Sequence, residues 1–301
     1  MGRAGERTRR GRRARRARPA VAEPALDLHP ADEALALWQR RYFDDDLPEA
    51  LSTRAFEQAS KLKLSADDRA SGLHGWRHRA LDEYRSQVAF TEFLGEVTDL
   101  GCSHDILSAS VRLVRDEARH VEICRRMVLA LGGDARIPGE PGWVRSDREA
   151  PLLDRVLTTT LASLCIGETL SVALLVKSRD VATFPVAKAA LEQLAKDESI
   201  HSQLGWRLLP MLWPLADRKL RRELTAALPY LFEASWDAVF GGMTPGDGHT
   251  ERDSFGDVLD HERQTVFDHS LEHDIVRRFE KLGIPARKAA RSALGAKPRF
   301  V

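Results

Sequence analysis

The motif Asp-Glu-x-x-His occurs twice in this chain, at residues 116–120 and at residues 197–201. Residues three apart in a helix lie on the same face, so each motif can present its Glu and its His to one metal ion. Helical wheels place Glu117 with His120, and Glu198 with His201, on the apolar faces of their helices. Buried ionisable groups are unfavourable unless they are paired or bound to metal. The chain must therefore fold with these side chains around a common polar centre.

The apolar neighbours of the two motifs define these faces. They are Ile106, Leu113, Cys124, Val128 and Leu131 on the first helix, and Leu191, Leu194, Gly205 and Leu208 on the second. Charged residues occupy the opposite side of the first helix, namely Arg112, Arg115, Arg119, Glu122 and Arg126. The wheel therefore predicts that this second group faces away from the polar centre.

The helices that precede the two motifs are expected to supply one further carboxylate each. Glu168 is the only charged residue in the apolar stretch 161–175, and it lies 30 positions before Glu198. That separation brings two carboxylates to one level in antiparallel helices. The earlier helix offers three candidates, Glu83, Glu92 and Glu96. Glu83 is preferred because it shares its face with Trp76, Phe90, Leu94 and Val97, whereas the other two share theirs with Arg85 and Asp99.

No segment alternates between polar and apolar residues with period two, so the chain is predicted to be all-α. Helices are expected at 31–43, 48–62, 73–100, 104–131, from Pro151 onward, and at 185–210, 217–239, 255–281 and 286–294, with a bend or break at Pro229 and a glycine-rich loop at 241–248. The predicted organisation is a disordered basic arm (1–30), a short helical lead-in (31–68), a four-helix bundle (69–212) and C-terminal helices that pack on the bundle (213–301).

The charge distribution separates the arm from the rest of the chain. The formal net charge is +1, but residues 1–20 contain nine Arg and one acidic residue, which leaves the remainder with a net charge of −7. An acidic body disfavours nucleic-acid binding, except through the arm.

Other sequence features bear on the cellular compartment and on membrane contact. The three cysteines have no CxxC spacing, the Arg-rich start is not followed by an apolar segment, and Glu168 interrupts the apolar run at 156–176. A cytoplasmic location without a membrane span is expected.

The donor set predicts the type of metal. Four carboxylates and two imidazoles give an oxygen-rich centre with one nitrogen per metal, which suits two iron ions or two manganese ions. A zinc site would more often recruit cysteines or additional histidines.

Over residues 73–210 the sequence resembles the ferritin-like di-iron carboxylate superfamily, which includes rubrerythrins, ribonucleotide reductase small subunits and bacterial multicomponent monooxygenases. The doubled motif resembles the pattern of the p-aminobenzoate N-oxygenase group, and residues 83–90 and 116–124 are similar to bacterial ferritin-like proteins of unassigned role. The N-oxygenases carry an additional ligand His one turn before the Glu of the fourth helix, where this chain has Leu194.

The resemblance implies a ferritin-like four-helix bundle with additional N- and C-terminal helices. It implies six metal ligands, which are Glu83, Glu117, His120, Glu168, Glu198 and His201. Asp116 and Asp197 would then accept hydrogen bonds from the ligand histidines and orient them.

A centre of this kind favours an oxidase or oxygenase that activates O2 and acts on a small organic substrate. Its partners would be O2, that substrate and, as a further candidate, an electron donor, and the protein would act as a monomer or a homodimer. Two alternatives stay open. One is iron handling or peroxide reduction of the ferritin or rubrerythrin type, and the other is a scaffold without catalytic activity.

Overall fold

The computed structural model describes residues 24–139, 147–241 and 254–300. Most of these residues are helical and very few lie in strands, which confirms the all-α prediction. Residues 1–23 of the predicted arm, and residues 242–248 of the predicted glycine-rich loop, lie outside the described residues.

The arm was predicted to extend to residue 30, and this boundary is wrong. Ala25–Asp27 form strand β1, which pairs antiparallel with strand β2 (Arg136–Pro138), and Leu26 lies opposite Ile137. Both of these side chains are buried. A three-residue ribbon gives too short an alternation to be recognised in the sequence.

The lead-in consists of α1 (Glu33–Asp46), a 3₁₀ turn (Glu49–Leu51) and α2 (Thr53–Ala59). Helix α3 (Ala66–Asp99) begins seven residues before the predicted start, because the Ser65 side chain caps it by accepting from the backbone N–H of Asp68. A turn at Gly101, whose φ is +73°, connects α3 to helix α4 (His104–Ala130). Helices α3 and α4 pack against each other as the first hairpin.

The second hairpin is formed by a continuous helix over Leu152–Val181 and by α7 (Pro185–Leu212). The continuous helix consists of α5 (Leu152–Thr159), a π-helical segment (Thr160–Gly167) and α6 (Glu168–Val181). The two hairpins meet where α4 contacts α7 and where α5 contacts α3.

The C-terminal region contains α8 (Arg218–Phe240), α9 (Asp260–Ser270), a π-helical segment (Leu271–Val276), α10 (Arg277–Lys281) and α11 (Ala286–Leu294). Helix α8 continues through Pro229, so the expected break is absent. Helix α9 packs along α6, and α8 packs against α11.

The apolar core is divided into two clusters. One contains Phe90, Leu113 and Leu208 together with apolar residues of the C-terminal helices. The other contains Trp76 and Leu194 together with apolar residues of the lead-in. The two motifs lie between these clusters along their helices, so the polar centre forms a separate level within the core.

The helix Leu152–Val181 is long and apolar enough to cross a membrane by length and composition, although the sequence disfavoured a span here. Half of its most apolar window is buried inside the protein. Core helices of soluble proteins pass the same test, so this helix is weak evidence for a span.

Candidate metal centre

The structure brings all six predicted ligand residues together in the interior. Their ligand-type atoms form two overlapping groups, each within 4.8 Å, and either group could hold a metal ion. The first group is Glu83, Glu117, His120 and Glu198, and the second is Glu117, Glu168, Glu198 and His201. All six side chains are buried. The predicted pattern of one carboxylate per helix and one imidazole per motif is therefore present as a single cluster.

The first group is arranged around the imidazole of His120. Its Nδ1 lies 3.3 Å from Glu83 Oε2, 3.7 Å from Glu117 Oε2 and 3.3 Å from Glu198 Oε1. The ring therefore directs one nitrogen at three carboxylates from three different helices. Such a convergence of a nitrogen and several oxygens is typical of a metal site and not of an ordinary ion pair.

The second group repeats this arrangement around His201. Its Nδ1 lies 3.1 Å from Glu117 Oε1, 3.7 Å from Glu168 Oε2 and 3.0 Å from Glu198 Oε2. Glu117 and Glu198 thus present one carboxylate oxygen to each histidine. The two imidazole rings are 5.8 Å apart between centroids. Glu117 and Glu198 are shared between the groups, whereas Glu83 and Glu168 belong to one group each.

Several ligand-type atoms of the cluster have no hydrogen-bond partner among the residues that the structure describes. Both carboxylate oxygens of Glu117 and the Nδ1 atom of His120 are buried and unpaired. Buried polar atoms are costly when they are unpaired, and a carboxylate can be satisfied by a cation as well as by a donor. The residues present therefore fit a metal, and the donor chemistry suits hard to intermediate divalent ions.

The electrostatics of the cluster show how protons compensate for its negative charge. Burial raises the pKa of Glu83 to about 7. Burial, together with the charge of Glu198, raises the pKa of Glu168 well above its usual range. Burial also disfavours charge on Glu198, but hydrogen bonds with Glu168 and the histidines and the charge of His201 hold its pKa well below its usual range. Ionised Glu198 therefore shares the site with protonated neighbours.

Burial lowers the pKa of an imidazole, whereas it raises the pKa of a carboxyl group. Burial alone would lower the pKa values of both histidines, but the hydrogen bond of His120 with Asp197 and the close approach of the surrounding glutamates raise the pKa of His120 well above its usual range. The charge of Glu198 and the hydrogen bond to Asp116 do the same for His201. Metal binding at Nδ1 must therefore displace protons.

The second nitrogen of each imidazole faces the aspartate of the other motif. His120 Nε2 lies 3.2 Å from Asp197 Oδ2, and His201 Nε2 lies 3.4 Å from Asp116 Oδ2. Asp197 also accepts from the Gln193 side chain at 2.8 Å, and despite burial its bond with His120 lowers the pKa of Asp197 to about 2. The aspartates thus occupy the orienting positions that the resemblance implied, and they do so crosswise between α4 and α7.

Two predictions from the helical wheels are wrong. Arg119 and Arg126 were placed away from the interior, but both are buried. Glu96 was also placed outward, but it is buried and its Oε1 lies 3.0 Å from Arg155 Nε of α5. Glu92 is half-buried and lies 3.7 Å from Arg148. These residues face neighbouring elements that a single-helix wheel does not contain.

Arg119 is the polar residue near the centre that the sequence did not identify. Its Nη2 donates to Asp116 Oδ1 at 2.7 Å and to Asp197 Oδ2 at 2.8 Å, and its Nη1 donates to Asp46 Oδ2 at 2.6 Å. One signal was present in the sequence, because Arg119 lies within the first motif at a spacing of three from Asp116.

The backbone around Glu168 has a distinct local structure. Glu168 directly follows the π-helical segment, and π segments inside α-helices are frequent at functional sites. Gly205 of α7 allows a close approach here, since a Cβ atom at this position would lie 2.6 Å from Leu164 Cβ. The small residue therefore sets how near α7 comes to the segment that positions Glu168.

Comparisons of this chain with protein-family models, with curated proteins and with solved structures found no match in any of the three. The geometry of the cluster is therefore the basis for the function that follows.

Proposed function

We propose that this protein is a non-haem di-iron oxidoreductase of the ferritin-like type, which activates O2 to oxidise a small organic substrate. The observation that carries the proposal is the sharing of Glu117 and Glu198 between two histidine-centred groups. Each shared glutamate presents one oxygen to each side, which is the arrangement that two adjacent ions need. Manganese would satisfy the same donors.

Each residue has a defined role in this proposal. Glu117 and Glu198 would contribute to holding both ions, Glu83 and Glu168 would each contribute to one, and His120 and His201 would each supply one nitrogen. When bound, a pair of ferrous ions supplies electrons for the reduction of dioxygen. Phe90, whose ring centroid lies 6.4 Å from that of His201, and the two apolar clusters keep bulk water from this level of the core.

The test is oxygen consumption by the iron-loaded protein. The metal-free chain is loaded with ferrous iron under anaerobic conditions, and O2 uptake is followed with an oxygen electrode after metal analysis. The wild type is expected to hold two iron ions per chain and to consume O2, whereas Glu168→Ala and His201→Ala should lose metal or oxygen uptake. Glu96→Ala is the matched control, because Glu96 is equally buried but belongs to neither group.

Other outcomes would contradict the proposal. Consumption of hydrogen peroxide without O2 use would favour a rubrerythrin-like activity, and assembly into a cage that mineralises iron would favour storage. Purification without metal, with no rise in melting temperature when iron is added, would favour a scaffold.

A further inference from the structure

Arg119 joins three carboxylates that come from three separate elements. Asp116 lies on α4, Asp197 lies on α7, and Asp46 is the last residue of α1 in the lead-in. The guanidinium donates to all three, at 2.7, 2.8 and 2.6 Å. A planar guanidinium with five donors can hold several carboxylates in fixed directions at once, which a lysine ammonium cannot do.

The two inner carboxylates are the ones that face the ligand histidines. Asp197 Oδ2 accepts a hydrogen bond from Arg119 Nη2 and lies 3.2 Å from His120 Nε2. Asp116 uses Oδ1 for Arg119 and Oδ2 for His201 Nε2. An imidazole that donates its Nε2–H to a fixed carboxylate presents Nδ1 in a fixed direction. One guanidinium thereby fixes the acceptors of both imidazoles.

The second motif contains no equivalent of this arginine. The position in 197–201 that matches Arg119 is Ile200, so the arginine that contacts both aspartates comes from the first motif. Arg112 also donates to Asp116 Oδ2, at 3.3 Å, from the exposed side of α4. Asp46 anchors the outer side of the guanidinium and also pairs with Arg115. The lead-in therefore reaches the metal-ligand cluster through two successive contacts, Asp46 with Arg119 and Arg119 with the aspartates.

We infer that Arg119 is a positioning residue, which holds Asp116 and Asp197 so that His120 and His201 bind metal, and that Asp46 makes this arrangement depend on the lead-in helix. The inference rests on the metal centre of the proposed function but not on its reaction with O2.

Cobalt(II) binding tests this role without oxygen chemistry. Metal-free full-length protein is titrated with Co²⁺, and affinity and the d–d absorption bands are recorded for the wild type, Arg119→Gln and Arg126→Gln. Arg126 is the matched control because it is a buried arginine of α4 that also pairs with the end of α1, through Asp44 at 2.5 Å. It contacts neither aspartate of the motifs.

We expect Arg119→Gln to weaken Co²⁺ binding by about 10- to 100-fold and to shift the absorption bands. Arg126→Gln should retain the wild-type affinity and bands.

Two milder variants keep the test decisive if Arg119→Gln does not fold. Arg119→Lys keeps the charge but lacks the planar guanidinium, and Asp46→Asn removes the negative charge that faces Arg119 and Arg115, so both variants should bind Co²⁺ less tightly than the wild type. Wild-type binding and spectra in both variants would overturn the inference, and so would equal losses in the Arg119 and Arg126 variants. If the wild type binds Co²⁺ as expected but iron-loaded protein consumes no O2, the proposed function fails and the positioning role stands. If the wild type binds no Co²⁺, the metal centre is wrong and both proposals fall.

Discussion

The two hairpins carry the same motif but hold it in different ways. In the first hairpin, Glu83 projects from an ordinary α-helix, and the motif contains Arg119 and is followed by Cys124. In the second, Glu168 follows a π-helical segment, and the matching positions are Ile200 and Gly205. The first hairpin supplies the cation that orients both histidines, whereas the second supplies the close helix contact. The corresponding Glu and His residues of the two hairpins are therefore held in place by different neighbouring residues.

The neighbouring hydroxyl groups show the same asymmetry. Thr169 and Ser202, which follow Glu168 and His201, are 2.8 Å apart, and the Trp206 indole donates to Thr169 at 3.0 Å. The corresponding residues in the first hairpin are Tyr84 and Val121. A buried polar pair thus borders only the second half of the cluster among the residues that the structure describes.

The largest expected effect is on the number of ions bound, and it distinguishes the glutamates that belong to both groups from those that belong to one. Glu117→Gln should abolish binding of both ions, because Glu117 contributes to both groups. Glu83→Gln and Glu168→Gln should each reduce the stoichiometry by about one ion, if the two halves bind independently. Metal analysis after anaerobic loading measures this. Equal losses in all three variants would show that the hairpins bind metal as one unit.

The next effect concerns the stability of the metal-free protein as pH rises. Glu83 has a pKa of about 7 in the fold against 4.5 in the unfolded chain, so rising pH removes a proton from the unfolded state first and favours unfolding. The raised pKa values of Glu168, His120 and His201 act in the same direction. Stability should be highest near pH 5 and fall toward pH 8, with a contribution from Glu83 on the order of 3 kcal/mol.

Urea unfolding of the metal-free protein at several pH values measures this dependence. Glu83→Gln should flatten the curve mainly below pH 7, whereas Glu168→Gln should flatten it above pH 7 as well, because its pKa is raised further. A metal-free wild type that gains stability between pH 5 and pH 8 would contradict the assignment.

The smallest effect tests the close contact of the second hairpin. Gly205→Ala would place a Cβ atom 2.6 Å from Leu164 Cβ and 2.8 Å from the Leu164 carbonyl carbon. We expect a loss of about 1–3 kcal/mol in the free energy of unfolding, because overpacking forces the two helices apart.

Gly95 provides the control on the first hairpin. A Cβ atom there would meet nothing within 4 Å, so Gly95→Ala should stabilise α3 by about 0.5–1 kcal/mol. Thermal and denaturant unfolding of the metal-free variants compare the two substitutions. A Gly205→Ala variant as stable as Gly95→Ala would show that the hairpins do not differ in packing.

The sequence by itself determined the all-α class and which residues share a helix face. The period of the helix fixed Glu117 with His120 and Glu198 with His201, and the apolar surroundings of Glu168 marked it as interior. These features depend on spacing along one helix, which the sequence contains in full.

Only the tertiary structure decided which other faces are covered. Arg119 is buried because α1 ends beside it with Asp46, and Glu96 is buried because α5 brings Arg155 against it. The sharing of Glu117 and Glu198 and the crosswise aspartates also arise from the meeting of α4 with α7. The physical reason is that burial on the second side of a helix depends on its neighbours in space, and the period of one helix does not specify them.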